Sequence, residues 1–261
     1  MRALYTAATG MMAQETNVQV ISNNIANMRT TGYKRQRADF QDLLYQQLRR
    51  AGSTTSDIGT QVPAGIEIGA GVKTAATPRI MSQGSLSQTD GTYDVAIRGE
   101  GFFRIQMPDG SFSYTRDGSF NLDSNGQLVT ADGLFVDPGI TVPGNATDIT
   151  INGDGTVEAT IPGQTQPQNI GQITLSRFIN KTGLESIGDN LFRETAASGP
   201  PIDDNPGSEG FGTLLQRHLE EANVNAVTEI SDLIAAQRAY EMNAKVVSAA
   251  EAMLDATNNL R

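Results

Sequence analysis

The chain has 261 residues, a formal charge of −10 from 19 Lys and Arg against 29 Asp and Glu, and no cysteine. This acidity opposes nucleic-acid binding by bulk electrostatics, and the lack of thiols excludes disulfides and thiolate metal sites. The length admits one or two domains, and no run approaches the roughly 20 apolar residues of a membrane span.

From Met1 to Met28 the charged residues are Arg2 and Glu15. Leu4, Met11, Val18 and Ile25 recur every seventh residue, with Ala8, Ile21 and Met28 beside them. Such a repeat predicts a coiled-coil seam rather than the broader stripe of an ordinary globular helix. The other faces carry uncharged polar residues, so this helix needs neighbours on several sides to be stable. Asn23, Asn24 and Asn27 at its far end read either as interface hydrogen-bonders or as a plain polar patch. Thr30-Thr31-Gly32 stops the helix, because β-branched residues followed by glycine resist continuation.

Residues 34–50, KRQRADFQDLLYQQLRR, predict a second, connecting helix with Phe40, Leu43, Leu44 and Leu48 on its apolar side. Residues 29–50 are also basic against the acidic whole, through Arg29, Lys34, Arg35, Arg37, Arg49 and Arg50. That run is either a solvated helix face or a contact for an acidic face of a neighbouring subunit. In 51–78, five glycines, Pro63 and Pro78 exclude a helix, and VPAGIEIGAGVK suits a hairpin or an extended arm. A flexible linker is equally compatible.

From 79 to 211 the helical period gives way to turn signals. Pro108-Asp109-Gly110, Asp117-Gly118, Asn125-Gly126, Asp132-Gly133 and Asp154-Gly155 separate short alternating runs. Asp-Gly and Asn-Gly there predict type I′ hairpins in a compact antiparallel β-domain. Gly32, Gly99, Gly101, Gly118 and Gly126 are candidate structural turn positions. Pro200, Pro201 and Pro206 mark an irregular exit, and 212–225 reads as a return connector. From 226 to 261 a long helix is predicted, with Leu233, Tyr240, Val247 and Leu254 seven apart and Asn223 or Asn225 as its cap. Ile230, Ile234, Val246, Ala250, Met253 and Leu260 widen that stripe, and Gln237 joins the candidate contact residues. The termini are expected to pair, with 1–32, 33–78, 79–211, 212–225 and 226–261 as successive segments.

No catalytic constellation emerges. The lone His218 stands in LLQRHLEEAN without a GxSxG elsewhere. Gly99-Glu100-Gly101 runs into a strand, where a dinucleotide fingerprint needs a helix. Asp123-Ser124-Asn125-Gly126 resembles part of a calcium loop, but the closing glutamate would fall at Leu134. Asp203-Asp204 and Glu220-Glu221 are sequence neighbours whose side chains diverge. No metal, cofactor or enzymatic reaction is expected.

Several motifs nevertheless carry a resemblance. NNIANMRTTGYK (23–34) resembles the N-terminal signature of the flagellar axial family of rod, hook and hook-associated proteins, and ANVNAVTEISDLIAAQRAYEMNAKVV (222–247) its C-terminal signature. DVAIRGEGFF (94–103) and YTRDGSFNLDSNGQLVTADG (114–133) are similar to its central pattern. The resemblance implies an α+β subunit whose terminal helices pair as a coiled-coil-like domain around an inserted β-domain and an extended Gly/Thr-rich arm along its neighbours. By length and by 59–91 it implies a helical homopolymer of the distal rod, transmitting torque and forming part of the export channel. Implied partners are proximal rod proteins, hook protein, a rod cap, the peptidoglycan and outer-membrane rings and the type III export apparatus. The N-terminus lacks the apolar region of a secretory signal, which by itself reads as cytosolic. The resemblance overrides this and implies export, with the N-terminus uncleaved, into a rod that spans the periplasm. A proximal rod or hook subunit is the nearer alternative. A secreted β-domain on a helical dimerisation stalk is the more distant one, and the absence of Trp argues against sugar stacking there.

Overall fold

The structure is a computed structural model that describes residues 2–52, 63–164 and 166–259. It is a mixed α+β chain that divides into two compact units, one formed by 1–26, 36–79 and 225–261, the other by 27–35 and 80–224.

The first unit holds both long helices, α1 (Arg2–Ala26) and, at the far end of the chain, α2 (Ala226–Asn259). Its 34 residues give α2 a length of about 50 Å. The Asn225 carboxamide caps it, accepting from the N–H groups of Val227 (3.0 Å) and Thr228 (3.2 Å). The two helices pack along one another.

Between them in sequence runs an antiparallel ribbon of β1 (Asp39–Asp42), β2 (Tyr45–Arg49), β3 (Ile66–Gly69) and β4 (Val72–Ala76). β1 pairs with β4 and β2 with β3. The predicted helix over 34–50 is therefore replaced by extended chain. Its apolar residues matched a helix face in spacing, but Leu44 is 90 % exposed and Tyr45 and Leu48 are exposed too. With no face to bury, a helix gains little from packing, and cross-strand pairing satisfies the backbone instead. The middle of the expected arm, 53–62, and Leu260 lie outside the described residues. Gly71 (φ +118°) lets the ribbon approach α1, since a Cβ there would stand 2.2 Å from Thr9 Oγ1.

Among its described residues the second unit is all β apart from a 3-10 turn at Lys181–Gly183. Its strands are β5 (Leu86–Gln88), β6 (Val95–Arg98), β7 (Phe102–Gln106), β8 (Phe112–Thr115), β9 (Asn121–Leu122), β10 (Leu128–Val129) and β11 (Phe135–Asp137). There follow β12 (Asp148–Ile151), β13 (Thr156–Thr160), β14 (Gln168–Gln172), β15 (Leu175–Arg177), β16 (Glu185–Gly188), β17 (Leu191–Arg193), β18 (Ile202–Asp204), β19 (Thr213–Gln216) and β20 (His218–Glu220). A nine-stranded sheet runs β16-β17-β8-β7-β11-β10-β9, with β15 joining β7 to β18. β12-β13-β14 form a second sheet, and β19 and β20 pair with β6 and β5. The segment 212–225 is thus not a plain connector. It supplies two strands.

β7 shows how period-two alternation builds the core. Phe103 and Ile105 enter the main cluster with Val95, Ile97, Phe120 and Ile173. Phe102 points the other way, edge-on to Phe178 and Phe192 at 6.0 Å centroid separation.

The hairpins differ from the type I′ expectation in a uniform way. At 107–111, 123–127, 130–134 and 152–156 the N–H of the fourth residue donates to the first carbonyl, and the first N–H donates to the fifth carbonyl. Only the glycines, Gly110, Gly126, Gly133 and Gly155, take positive φ. This is a type I turn closed by a glycine bulge, a three-residue loop. Asp109, Asp123 and Asp154 hold three of these turns by accepting the N–H groups of Ser111, Asn125 and Thr156. Asp123 stands at the first position of its turn and spans Ser124, which keeps a negative φ, whereas Asp109 and Asp154 stand at the third and brace the bulge glycines Gly110 and Gly155. Asp117-Gly118 is no hairpin at all. Gly118 O accepts from Val95 N (3.0 Å), and a Cβ on Gly118 would lie 1.7 Å from Val95 O.

Candidate assembly interface

In the helical unit the seven-residue columns lie half in and half out. Leu4, Met11, Val18 and Ile25 are half-buried, as are Leu233, Val247 and Leu254. Tyr240 is 45 % exposed, and Gln237 and Met253 are exposed. The fully buried positions are, apart from Ile21, smaller or polar: Ala7, Ala13, Val20 and Asn24 on α1, and Glu229, Ala236 and Ala250 on α2. Small residues let the two helix axes approach, so the large residues of each column straddle the contact and keep one side open. Tyr5, Met12, Ile230, Ile234, Met242 and Val246 are exposed as well. A groove of about 590 Å³ between α1 and the ribbon, lined by Tyr5, Met12, Thr16, Leu43 and Val72 among others, extends this apolar surface. This uncovered apolar area on two long helices makes them the candidate interaction surface.

One polar contact registers the helices. The Asn24 carboxamide donates to Gln36 O (2.9 Å) and Glu229 Oε2 (3.0 Å) and accepts from Gln36 N (2.9 Å). Glu229 stands in the first turn of α2, where the helix dipole favours a carboxylate. Of the three predicted asparagines, Asn24 alone is buried; Asn23 is exposed and Asn27 half-buried, accepting from Thr30 Oγ1 (3.2 Å).

In the β unit, the segment that ends the N-terminal signature meets the segment that precedes the C-terminal one. Gly32, at φ +68°, donates its N–H to Glu220 O (2.7 Å), and Arg35 N donates to Asn223 Oδ1 (2.7 Å). Asn223 is therefore a tie and not the helix cap; its Nδ2 also donates to Ile80 O and Ser82 O. Lys34 lies within the buried centre of this junction. Its ammonium donates to Glu220 Oε1 (2.5 Å) and Ser82 O (2.9 Å). Arg116 donates to Glu220 Oε2 (3.2 Å) and Gly99 O (2.8 Å), and Gly84 N donates to Glu220 Oε1 (2.9 Å). Burial holds the Lys34 and Arg116 pKa values below their ordinary ranges, with Glu220 pulling both back up.

The basic run of 29–50 is thus divided. Lys34 is inside, Arg37 pairs locally with Asp39 at 2.8 Å, and Arg29, Arg49 and Arg50 are exposed. Sequence reasoning missed the Lys34–Glu220–Arg116 cluster because Lys34 and Glu220 are 186 residues apart, with no local pattern linking them. Gly99 (φ +113°) and Gly101 (φ +138°) hold turns before β7, the second with Leu175 within 3.1 Å of a notional Cβ. At Gly126 that Cβ would meet Val142 O at 2.4 Å. His218 lies in β20 with Nδ1 2.8 Å from Gln216 O, and Asp203 accepts from Arg104 and Ser176. Among the described residues no group of three His, Asp or Glu is placed to hold a metal, and no helix is long and apolar enough to cross a membrane.

Comparison with known proteins places these surfaces in a context. Residues 4–34 match the family described as flagella basal body rod protein, 96–159 the flagellar hook protein FlgE/F/G D1 domain, and 215–260 the flagellar basal body rod FlgEFG protein C-terminal family. The chain is 57 % identical over 261 residues to the flagellar basal-body rod protein FlgG of Caulobacter vibrioides, covering all of both chains. It is 49 % identical to that of Borreliella burgdorferi, over 100 % of this chain and 99 % of the relative. Identity to the rod protein FlgF of Caulobacter vibrioides is 34 %, over 94 % and 91 % of the two chains. The chain belongs to the flagellar basal-body rod proteins, in their FlgG family.

Proposed function

We infer that this chain is a structural subunit that polymerises into the distal rod of the flagellar basal body and carries torque towards the hook. The half-open apolar columns of α1 and α2 are the observation that supports a polymer over a monomer. Burying a large side chain such as Met12 or Ile234 releases about 1.5–3 kcal/mol on full burial. Repeated around a helical array, such contacts generate an open tube, because a head-to-tail interface that does not close propagates. In this reading Leu4, Met11, Val18 and Ile25, with Leu233, Gln237, Tyr240, Val247 and Leu254, pack as a coiled-coil-like layer around a central export channel, and the helices complete their order on docking. The ribbon of β1 to β4 lies along neighbouring copies. Proximal rod proteins, hook protein, the rod cap, the surrounding peptidoglycan and outer-membrane rings and the type III export apparatus are the proposed partners, with the rod crossing the periplasm. The alternative of another axial subunit, proximal rod or hook, is not favoured, since identity is 57 % to the FlgG and 34 % to the FlgF of Caulobacter vibrioides.

The test is polymerisation against concentration, by sedimentation and negative-stain electron microscopy with circular dichroism on the same samples. Straight tubes that form with rising helix content, and that Met11→Asp and Leu233→Asp each abolish, support the reading. Discrete particles at every concentration, unchanged by either substitution, overturn it.

A further inference from the structure

On α2, Ile230, Ile234, Arg238, Met242 and Val246 stand four residues apart, and all are exposed. Positions four apart on a helix form one oblique ridge, so these side chains make a single row about 24 Å long. At its centre is a cation, Arg238, which has no ion-pair partner among the described residues. The next position of the row, Ala250, is buried. The groove between α1 and the ribbon has a similar length, its α1 side running from Tyr5 to Gln19 over about 21 Å. Its apolar lining includes the exposed Met12 together with Leu43 and Val72. Glu15, the one carboxylate of α1, also lines it, exposed and without an ion-pair partner among the described residues. Lys73 lies on the ribbon side of the groove, and Glu241 stands beside the ridge. Within one chain ridge and groove do not meet: α2 packs against α1 across Gly10 and Asn243, and the ridge stays exposed.

We propose that the ridge of α2 from Ile230 to Val246 docks in the α1–ribbon groove of a second copy, with Arg238 against Glu15. This contact rests on the polymer reading and gives it a direction. Ridge and groove agree in length, both are mainly apolar, and their charges are of opposite sign, Arg238 meeting Glu15 and Glu241 meeting Lys73. A ridge of one helix packed into a groove beside another is the ordinary way two helices bury side chains. Because the two surfaces differ and belong to the same chain, a docked copy still presents a free ridge at one end and a free groove at the other. The contact therefore repeats head to tail, whereas either surface pairing with itself would close after two copies.

Two full-length variants, each changed at an exposed position, leave a copy with one working surface. Ile234→Asp spoils the ridge and keeps the groove; Met12→Asp spoils the groove and keeps the ridge. Neither should form tubes alone. Mixed in equal amounts above the wild-type threshold, they should pair as a heterodimer that sedimentation velocity resolves and that grows no further. A surface that pairs with itself predicts instead that one variant dimerises without the other. Charge reversal gives a second measurement should either aspartate unfold the helices. Glu15→Arg and Arg238→Glu should each raise the polymerisation threshold about tenfold, and the chain carrying both should return to within about threefold of wild type. Wild-type tubes with a mixture that stays monomeric, or with a double reversal no better than the single ones, overturn the ridge–groove contact and leave the polymer reading standing. Discrete wild-type particles at every concentration overturn both.

Discussion

Gly10 of α1 faces Asn243 of α2 so closely that a Cβ on Gly10 would lie 2.9 Å from Asn243 Nδ2 and 3.2 Å from its Cγ. A glycine in mid-helix costs about 1 kcal/mol of helix propensity relative to alanine, so its presence is explained by this contact. Gly10→Ala should shift helix-pair stability by less than about 1 kcal/mol, because the propensity gain offsets the cost of turning the Asn243 carboxamide aside. Gly10→Ala with Asn243→Ala should expose the propensity gain alone, and Gly10→Leu should abolish polymerisation while leaving the β unit folded. A double-mutant cycle on thermal unfolding, read by far-ultraviolet circular dichroism, measures the coupling.

Asn24 engages Gln36 and Glu229 with both ends of its carboxamide, which a smaller side chain cannot do. Asn24→Ala should cost about 2–4 kcal/mol in helix-pair stability, since buried partners are left unsatisfied at about 1–3 kcal/mol each. Asn24→Asp keeps the shape but sets a carboxylate against Glu229 Oε2, and is expected to be worse. Ser22→Ala, at an exposed position, should stay within about 0.5 kcal/mol. Equal effects at residues 22 and 24 in urea unfolding would contradict the registry role.

How far the sequence could be read depended on whether the relevant contact was local. The heptad columns predicted both long helices, and Asn225 capped the second, because caps and periodicity act within one or two turns. Turn positions were equally readable, although the chain closes them as type I turns with a glycine bulge in place of type I′. At 34–50 the spacing of Phe40, Leu43, Leu44 and Leu48 suited a helix, and partners at 66–76 overrode it. The small-residue seam at Ala236 and Ala250 was hidden because apolar bulk draws attention to Leu233 and Val247, which sit beside the contact. The charge cluster was unreadable in principle: its members are scattered over three distant segments and only the fold brings them together.

Two glycines of similar backbone conformation separate conformation from crowding. Gly32 (φ +68°) would place a Cβ 2.7 Å from Asp117 N, whereas Gly133 (φ +80°) has nothing within 4 Å. Both pay the left-handed penalty on substitution, about 1 kcal/mol for alanine. Gly133→Ala should stop there. Gly32→Ala must also displace backbone, and should cost about 3 kcal/mol or more in chemical denaturation of the β unit. A like cost at both positions would mean that the segment at Gly32 yields freely.

The Lys34 ammonium gives the pH dependence an unusual sign. Its folded-state pKa is lowered from 10.5, burial being the largest cause and the Glu220 attraction opposing it. Between that lowered value and 10.5 the unfolded chain binds more protons at this site than the folded chain, so the stability contributed here rises with pH. The contribution is flat below the folded pKa and levels off above 10.5. Arg116, whose pKa burial also lowers, donates to the other carboxylate oxygen of Glu220 at 3.2 Å. Urea midpoints of the β unit measured from pH 7 to 10.5 should therefore include a rising component that disappears in Lys34→Met. A wild-type profile that falls in parallel with the variant would show that ionised Lys34 is as well placed in the fold as in water.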